Sequence, residues 1–187
     1  MPIVSTTKMT AQQFLQLGED PPGVRLELVD GEVAVSPSPI PDHSNVVIQL
    51  IVLLENYNAA NDLGELHHDV DTILDRFNVR RPDILFYSTE RTHLIGKKAM
   101  EGPPDLAIEV ISPSSIEVDR DDKFVQYRDG GVAHYWIIDP AQQTVDAWSL
   151  ENGAYVVSGH AQGSAVIKLP PFPDLEIPLS RLWRRQK

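Results

Sequence analysis

Apolar and polar positions alternate in two short runs near the start of the chain. Residues 24–29 and 32–35 carry apolar side chains at alternate positions, and Asp30-Gly31 lies between the runs. Alternation is typical of strands with one buried face, and Asp-Gly favours a two-residue turn because it tolerates positive φ. The pattern predicts an antiparallel N-terminal β-hairpin. Upstream, Thr10 to Gln13 have the form of a capping box and predict a short helix through about Leu17.

A longer apolar stripe at helical spacing follows a proline-rich segment. Residues 36–41 contain three prolines and are predicted to form a loop, because proline lacks the N–H that a helix or a central strand requires. Apolar side chains then recur over residues 46–57 as one broad stripe. Asp42 is a suitable N-cap and Gly64 a suitable stop, so a long helix is expected between them, covering a sheet.

The rest of the chain alternates strand patterns with one more helix. The predicted strands are residues 65–74 and 79–87 around a turn at 75–78, residues 105–111, residues 132–138, and a C-terminal hairpin of 144–150 and 155–158. A helix is expected from about Ile116 to Asp129, with a cap in residues 112–115 and a stop at Gly130-Gly131. This order predicts an α/β (α+β) fold in which helices flank a mixed central sheet.

Length and composition restrict the class of protein. A chain of 187 residues fits one domain, residues 1–187, since single cores commonly serve roughly 100 to 200 residues. No run approaches the ~18 apolar residues of a membrane helix, so no membrane association is expected. The N-terminus lacks the pattern of a secretory signal, and the chain has no cysteine. A cytoplasmic location is therefore predicted.

The net charge of −11 opposes a large nucleic-acid surface, because affinity for phosphate comes mainly from lysine and arginine. The basic residues are nevertheless concentrated in two segments, 76–98 and 181–187. They form either local basic patches or ordinary solvated surface, and composition does not decide between these hypotheses.

Two carboxylates in strand-like segments are the best candidates for chemistry. Glu109 lies in the apolar run 105–111 and shares a strand face with Ala107 and Ile111, where an ionised carboxylate is costly unless a cation or donors meet it. If Asp83 lies on the adjoining strand, the pair offers the hard oxygen ligands that Mg²⁺ prefers, with water and substrate phosphate filling the remaining positions.

A structural interpretation of the same residues stands beside the metal site. Glu109 would then form a salt bridge with Arg81 or Lys123, or would be exposed at a sheet edge. Spacing alone leaves both hypotheses open.

Three further residues could assist such a site. Lys123 lies on the helix after the Glu109 strand, one helical turn before Tyr127, and a lysine near a phosphate can position or activate water and stabilise negative charge. Glu27 lies on the first hairpin, and His43 lies at the start of the long helix, where anions are favoured. Taken alone, each of these residues is also typical of a protein surface.

Several motifs in one order resemble the Uma-two family of putative restriction endonucleases, over about residues 9 to 183. They are ELVDGE at 27–32, the Ser-Pro loop with His43, RPDI at 81–84, PDLAIEVISPS at 104–114, Asp119, Lys123, Tyr127, Gly131-Val132 and YWIIDP at 135–140. Each motif is weak alone, and their combination is specific.

The resemblance implies a PD-(D/E)XK nuclease fold with a Mg²⁺-dependent phosphodiesterase site. It implies that Asp83 and Glu109 are the metal-binding acids, with Mn²⁺ as a substitute, and that Glu27 and His43 are accessory residues. The motif's usual lysine, two residues after the second acid, is replaced by Ile111, and Lys123 takes that role. His134 stands where relatives often carry an acid, which bears on partner contacts more than on chemistry.

Two main hypotheses follow for function. The first is a Mg²⁺-dependent endonuclease that hydrolyses DNA and acts as a homodimer, by analogy with nucleases that cut two strands as pairs. The second is a catalytically silent module with the nuclease fold that mediates protein or oligomer contacts, which the acidic charge favours. A metal phosphohydrolase acting on small molecules is a third hypothesis with less support.

Overall fold

The structure, a computed structural model, describes residues 8–36, 39–112 and 115–183. Within these ranges the chain forms three α-helices, which are α1 (Ala11–Phe14), α2 (Pro41–Asn61) and α3 (Lys123–Gly130). The strands in the same ranges are β1 (Arg25–Val29), β2 (Glu32–Ser36), β3 (Gly64–His67), β4 (Thr72–Ile73), β5 (Val79–Arg80), β6 (Ile84–Ser88), β7 (Leu106–Val110), β8 (His134–Asp139), β9 (Thr144–Glu151), β10 (Ala154–Gln162), β11 (Val166–Leu169) and β12 (Phe172–Pro178).

The central sheet has six strands in the order β10-β9-β8-β7-β6-β3. Neighbours in it are antiparallel except β7 and β8, which are parallel, so the predicted mixed sheet is confirmed. One face packs against α2 and the β11-β12 hairpin, with Leu50, Trp136 and Phe172 fully buried between them. The other face packs against α3 through Tyr127 and Tyr135.

A smaller sheet, β2-β1-β5-β4, carries the N-terminal hairpin. Leu28 and Val79 pair across β1 and β5 and pack with Phe14 of α1. In this sheet β1 lies beside residues 81–83, which join β5 of the small sheet to β6 of the central sheet.

Two local sequence signals, a hairpin turn and a helix capping box, predicted the structure correctly. Asp30 and Gly31 both have positive φ and join β1 to β2 as an antiparallel hairpin. Thr10 accepts from the backbone N–H of Gln13, and the Gln13 side chain accepts from the N–H of Thr10, which completes the capping box. The short helix ends at Phe14, before the predicted Leu17.

The predicted ends of the long helix were wrong. Ile40, with extended backbone, is the N-cap of α2, because Pro41 with its fixed φ suits the first helical position, and Asp42 lies in the first turn. The helix ends at Asp62, which adopts a left-handed conformation, and Gly64 instead opens β3. A Cβ at Gly64 would collide with the carbonyl of Tyr87 on β6, so this glycine permits close strand pairing.

The two strands predicted at 65–74 and 79–87 each divide in two. Pro82 interrupts the second strand because it has no N–H to donate, and β5 and β6 consequently join different sheets. β3 and β4 divide between the same two sheets. The chain therefore crosses from the small sheet to the central sheet just before Asp83.

The second predicted helix is less regular than expected. Residues 118–122 form a π-helical turn, Val118–Asp122, before α3 begins at Lys123, and Gly131 ends α3 in a left-handed conformation. Pro113 and Ser114 of the predicted cap lie outside the described residues. The C-terminal hairpin extends to β9 and β10, and β11 and β12 were not predicted individually. Within the part of the chain that the structure describes, no helix is long and apolar enough to cross a membrane.

Candidate metal centre and active site

The strand register brings the two candidate acids together. In the antiparallel pairing of β6 and β7, Ile84 lies opposite Ile108, so Asp83, which precedes β6, and Glu109, which follows Ile108, lie at the same end of the two strands. Asp83 and Glu109 both line one cleft, with a volume of about 160 Å³, at the carboxyl end of β7. The carboxylate pair predicted from the sequence therefore meets in the fold.

Asp83 is held in place by donors on one of its oxygens. Its Oδ2 accepts from the backbone N–H of Val110 at 2.8 Å and contacts His43 Nε2 at 2.9 Å. Its Oδ1 is approached by Arg25 Nη1 at 3.7 Å, which is too long for a hydrogen bond. Burial acts to raise the pKa of Asp83, but the hydrogen bond and charge of His43, the charge of Lys123 and the Val110 N–H outweigh it, so this pKa lies below its ordinary value.

Glu109 is buried and touches two protein donors. Tyr127 Oη donates to Oε1 at 2.6 Å, and Lys123 Nζ lies 2.9 Å from Oε2. The structural alternative considered for Glu109, a salt bridge with Lys123, is thus present, whereas exposure at a sheet edge is excluded by its 2% accessibility. Burial raises the pKa of Glu109 to about 8; Lys123 opposes the rise, and the charges of Asp119 and Asp83 add to it.

Lys123 lies between two carboxylates, one of which the sequence analysis did not assign to the site. Its Nζ is 2.9 Å from Asp119 Oδ1 as well as 2.9 Å from Glu109 Oε2. The Lys123 ammonium and Asp119 Oδ1 form an ion pair, but their geometry is not that of a hydrogen bond. Although burial alone would lower the pKa of Lys123, these carboxylates raise it above its ordinary value. Asp119 lies in the π-helical turn, its carbonyl accepts from Tyr135 Oη at 2.8 Å, and its spacing of four residues from Lys123 was the available signal.

Glu27 belongs to a buried ion pair at the floor of the cleft. It faces Arg80 across β1 and β5, with Glu27 Oε2 2.9 Å from Arg80 Nη1, and its Oε1 accepts from the Arg81 N–H at 2.9 Å. Burial acts to raise the pKa of Glu27, but the charges of Lys123 and Arg80 lower it below its ordinary value. Arg80 Nε also donates to Gln126 Oε1 at 2.6 Å, which links the small sheet to α3.

The basic segment at 76–98 divides between the two hypotheses drawn from composition: Arg76, Lys97 and Lys98 are exposed to solvent, whereas Arg80 and Arg81 are not. Arg80 is 2% exposed, and Arg81 bridges Asp20 and Asp71, with Nη1 2.6 Å from Asp20 Oδ2. Both arginines line the cleft. Of the second basic segment, residues 184–187 lie outside the described residues.

The carboxylate oxygens around the cleft are suited to a cation. Among the described residues, the buried acids lining it are Glu27, Asp83, Glu109 and Asp119, and the buried arginine and lysine are Arg80 and Lys123. Arg25 and Arg81 also line the cleft, and the pKa of Glu109 is about 8, so the suitability for a cation rests on the carboxylate oxygens and not on net charge. In the described ranges, however, no group of three or more His, Cys, Asp or Glu is arranged to hold a metal. Mg²⁺ commonly uses one or two carboxylates and completes its shell with water and phosphate, so Asp83 and Glu109 fit that ion.

The fold and this site define a class. A mixed sheet flanked by helices, with paired acids meeting across neighbouring strands and a lysine beside them, is a restriction-endonuclease-like nuclease architecture. The family Uma2, described as "Putative restriction endonuclease", matches residues 11–180, and the chain belongs to that family. No curated protein shows a significant match to the chain.

One of two similar solved structures shares the fold over most of the chain. A putative nuclease belonging to DUF820 from Anabaena variabilis ATCC 29413 is 20% identical, with a TM-score of 0.76, covering 93% of this chain and 97% of that one. The type IIG restriction endonuclease BpuSI is 16% identical over 71% of this chain and 13% of its own, with a TM-score of 0.39, and is too distant to support an inference.

Proposed function

We propose that this protein is a Mg²⁺-dependent endonuclease that hydrolyses DNA phosphodiester bonds, with Mn²⁺ able to replace Mg²⁺. The observation that carries the proposal is that Asp83 and Glu109 are both buried and line one cleft, with Lys123 Nζ 2.9 Å from Glu109 Oε2. Family membership and the nuclease fold support it.

Asp83 and Glu109 are the residues that would hold the ion. When bound, a divalent cation stabilises charge on the phosphate and lowers the pKa of a coordinated water. Asp83 is preoriented for this role, because the Val110 N–H and His43 fix its Oδ2 and leave Oδ1 directed toward the Arg25 side of the cleft. His43 is thus a positioning residue for Asp83.

Lys123 supplies positive charge and hydrogen-bond donors inside the cleft. Its ammonium has three donors, and such a group orients an attacking water and stabilises charge that develops on the phosphate. Asp119 holds this ammonium beside Glu109. Glu27 pairs with the buried Arg80, so we propose that it holds Arg80 in place at the base of the cleft and does not orient water.

Three further statements belong to the same proposal. DNA is the proposed partner because of the family, and a homodimer would allow two sites to cut two strands. The cytoplasmic location stays a prediction from sequence.

The direct test is cleavage of supercoiled plasmid DNA. With Mg²⁺ or Mn²⁺ the wild type should nick or linearise the plasmid, and a chelator should stop it. Asp83→Asn and Glu109→Gln should lose activity, whereas Glu176→Gln, at a carboxylate that is 70% exposed on β12, should not. Folded wild-type protein that cuts no DNA with either ion would contradict the proposal.

One observation favours the second candidate, a catalytically silent nuclease-fold module. Both oxygens of Glu109 already contact protein donors, Tyr127 and Lys123, so the site is satisfied to some degree without a metal. Thermal melting separates the candidates. Mn²⁺ at a hundredfold excess over its Kd stabilises a protein by about 2.7 kcal/mol, or roughly 5 to 11 °C for this size. No shift, or an equal shift in Asp83→Asn, would favour the silent module.

A further inference from the structure

The cleft contains cations of two kinds. Among the described residues, the arginines and lysine that line it are Arg25, Arg80, Arg81 and Lys123. Three of them pair with acids whose side chains are at most 20% exposed. Arg80 pairs with Glu27, Arg81 bridges two aspartates, and Lys123 bridges two carboxylates, and their side chains are 2%, 16% and 9% exposed.

Arg25 differs from the other three. Its side chain is 22% exposed, and its Nη2 lies 2.8 Å from Oδ1 of Asp69, which is itself 38% exposed. Asp69 is the most exposed of these partner acids, and ion pairs become weaker as solvent reaches them, so this partner is the easiest of them to exchange. Its other arm is close to the proposed chemistry, with Nη1 3.7 Å from Asp83 Oδ1.

We propose that Arg25 binds a phosphate of the DNA backbone at the mouth of the cleft and leaves Asp69 when it does so. The inference rests on the proposed function. A phosphodiester that approaches Asp83 Oδ1 comes close to Arg25 Nη1, since these two atoms are 3.7 Å apart. The guanidinium fork suits phosphate because it donates two parallel hydrogen bonds to two oxygens.

Net charge makes the contribution of this residue large. The chain carries −11, so DNA affinity must come from a small number of well-placed cations. A purely structural role for Arg25 is the competing explanation. In that case it would tie β1 to the turn at Asp69, and loss of either partner would have the same consequence.

The experiment measures DNA binding as a function of salt. Fluorescence anisotropy of a labelled DNA duplex would be followed in Ca²⁺ from 50 to 200 mM KCl, with the duplex checked for integrity on a gel. The variants are Arg25→Ala, Arg25→Lys and Asp69→Asn, and Lys168→Ala on β11, 50% exposed and outside the cleft, is the control. Asp69 has φ +57°, which asparagine tolerates, so Asp69→Asn should fold normally.

Each outcome decides the inference. Loss of one phosphate contact in Arg25→Ala should make the negative slope of log K against log salt less steep by about 0.9. The ratio of the wild-type affinity to the Arg25→Ala affinity should therefore fall roughly 3.5-fold between 50 and 200 mM KCl. Arg25→Lys should keep the wild-type slope with weaker binding, and Asp69→Asn should bind at least as tightly as the wild type. An unchanged slope in Arg25→Ala, or equal losses in Arg25→Ala and Asp69→Asn, overturns the inference while the nuclease proposal stands. A wild type that binds no DNA overturns both.

Discussion

The buried pair Arg80 and Glu27 gives the most quantitative prediction about stability. Arg80→Met replaces the guanidinium by an apolar side chain of comparable length and leaves Glu27, 2% exposed, without its 2.9 Å partner. It also removes the 2.6 Å hydrogen bond to Gln126. The Arg81 N–H and the charge of Lys123 still act on Glu27, so the carboxylate is not wholly uncompensated.

Removing one partner of a buried ion pair costs about 3 to 5 kcal/mol, because a buried charge remains. For a domain of this size that corresponds to a fall in Tm of roughly 6 to 20 °C. Replacing both partners costs much less, since apolar groups of similar volume often substitute for a buried pair without loss. The double variant Glu27→Leu/Arg80→Met should therefore be more stable than the sum of the two single changes implies, by more than about 2 kcal/mol.

The cost in Arg80→Met should also depend on pH. In the wild type the pKa of Glu27 lies below its ordinary value, because Lys123 and Arg80 together outweigh the effect of burial. Loss of Arg80 raises that pKa in the folded state. The destabilisation is then complete above the raised pKa and shrinks as the pH falls through it, because the folded variant can take up the proton.

Urea unfolding followed by tryptophan fluorescence measures these differences. Arg128→Met is a matched control, since Arg128 is partly exposed and pairs with Asp129, which is 61% exposed. It should leave stability unchanged. A loss in Arg80→Met no greater than in this control, or strict additivity in the double variant, would refute the reasoning about a buried pair.

Three further predictions follow from other parts of the structure. Asp119→Asn should slow DNA cleavage by about tenfold or more with little change in the Mn²⁺-induced Tm shift, because the ammonium of Lys123 loses a charged partner 2.9 Å away; equal cleavage rates would contradict this. Burial lowers the pKa of His134, and the charge of Asp105 opposes this effect. The stability of the wild type should therefore fall as the pH drops through about 6.5, and the stability of His134→Asn should fall less steeply. Parallel Tm profiles of the two proteins between pH 5 and 7.5 would be the contrary result. Leu50→Ala, at a fully buried position of α2, should cost about 2 to 5 kcal/mol in urea unfolding, and a loss below 1 kcal/mol would count against the packing of α2 on the sheet.

Local chemistry explains which parts of the fold could be predicted from sequence. The turn at Asp30-Gly31, the capping box at Thr10 and the stop at Gly131 depend on residues within a few positions, and each was found where the sequence indicated. The division at Pro82 was harder to predict. The proline removes one donor, but which sheet each half then joins depends on partners far away in sequence, Leu28 for β5 and Ile108 for β6.

The candidate site shows the same limit. Alternation correctly placed Glu109 on the face of Ala107 and Ile111, since these two pack in one cluster and Ile108 and Val110 in the other. That Glu109 touches Lys123 and Tyr127 was also anticipated in part, because the two share a helical face.

Other members of the site required the fold. No local signal indicates that Arg25 lies near Asp83, which is 58 positions later in the chain. The same is true of the pairing of Arg80 with Glu27, which are 53 positions apart. Asp119 was one position of the family resemblance, but an acid four residues before a lysine is also the pattern of a solvated helix, so it was not assigned to the site. Helical spacing relates Asp119, Lys123 and Tyr127 to one another, whereas the long-range pairing of strands that brings Glu27 and Arg80 together is not encoded in any spacing along the chain.

The central claim is that Asp83 and Glu109 hold a divalent metal, and diffraction from crystals soaked in Mn²⁺ tests it most directly. We expect an anomalous difference peak in the cleft within coordination distance of Asp83 and Glu109, and we expect it to be lost in crystals of Asp83→Ala soaked in the same way. A well-ordered cleft without such a peak, with Glu109 still bound to Lys123 and Tyr127 at saturating Mn²⁺, would contradict it.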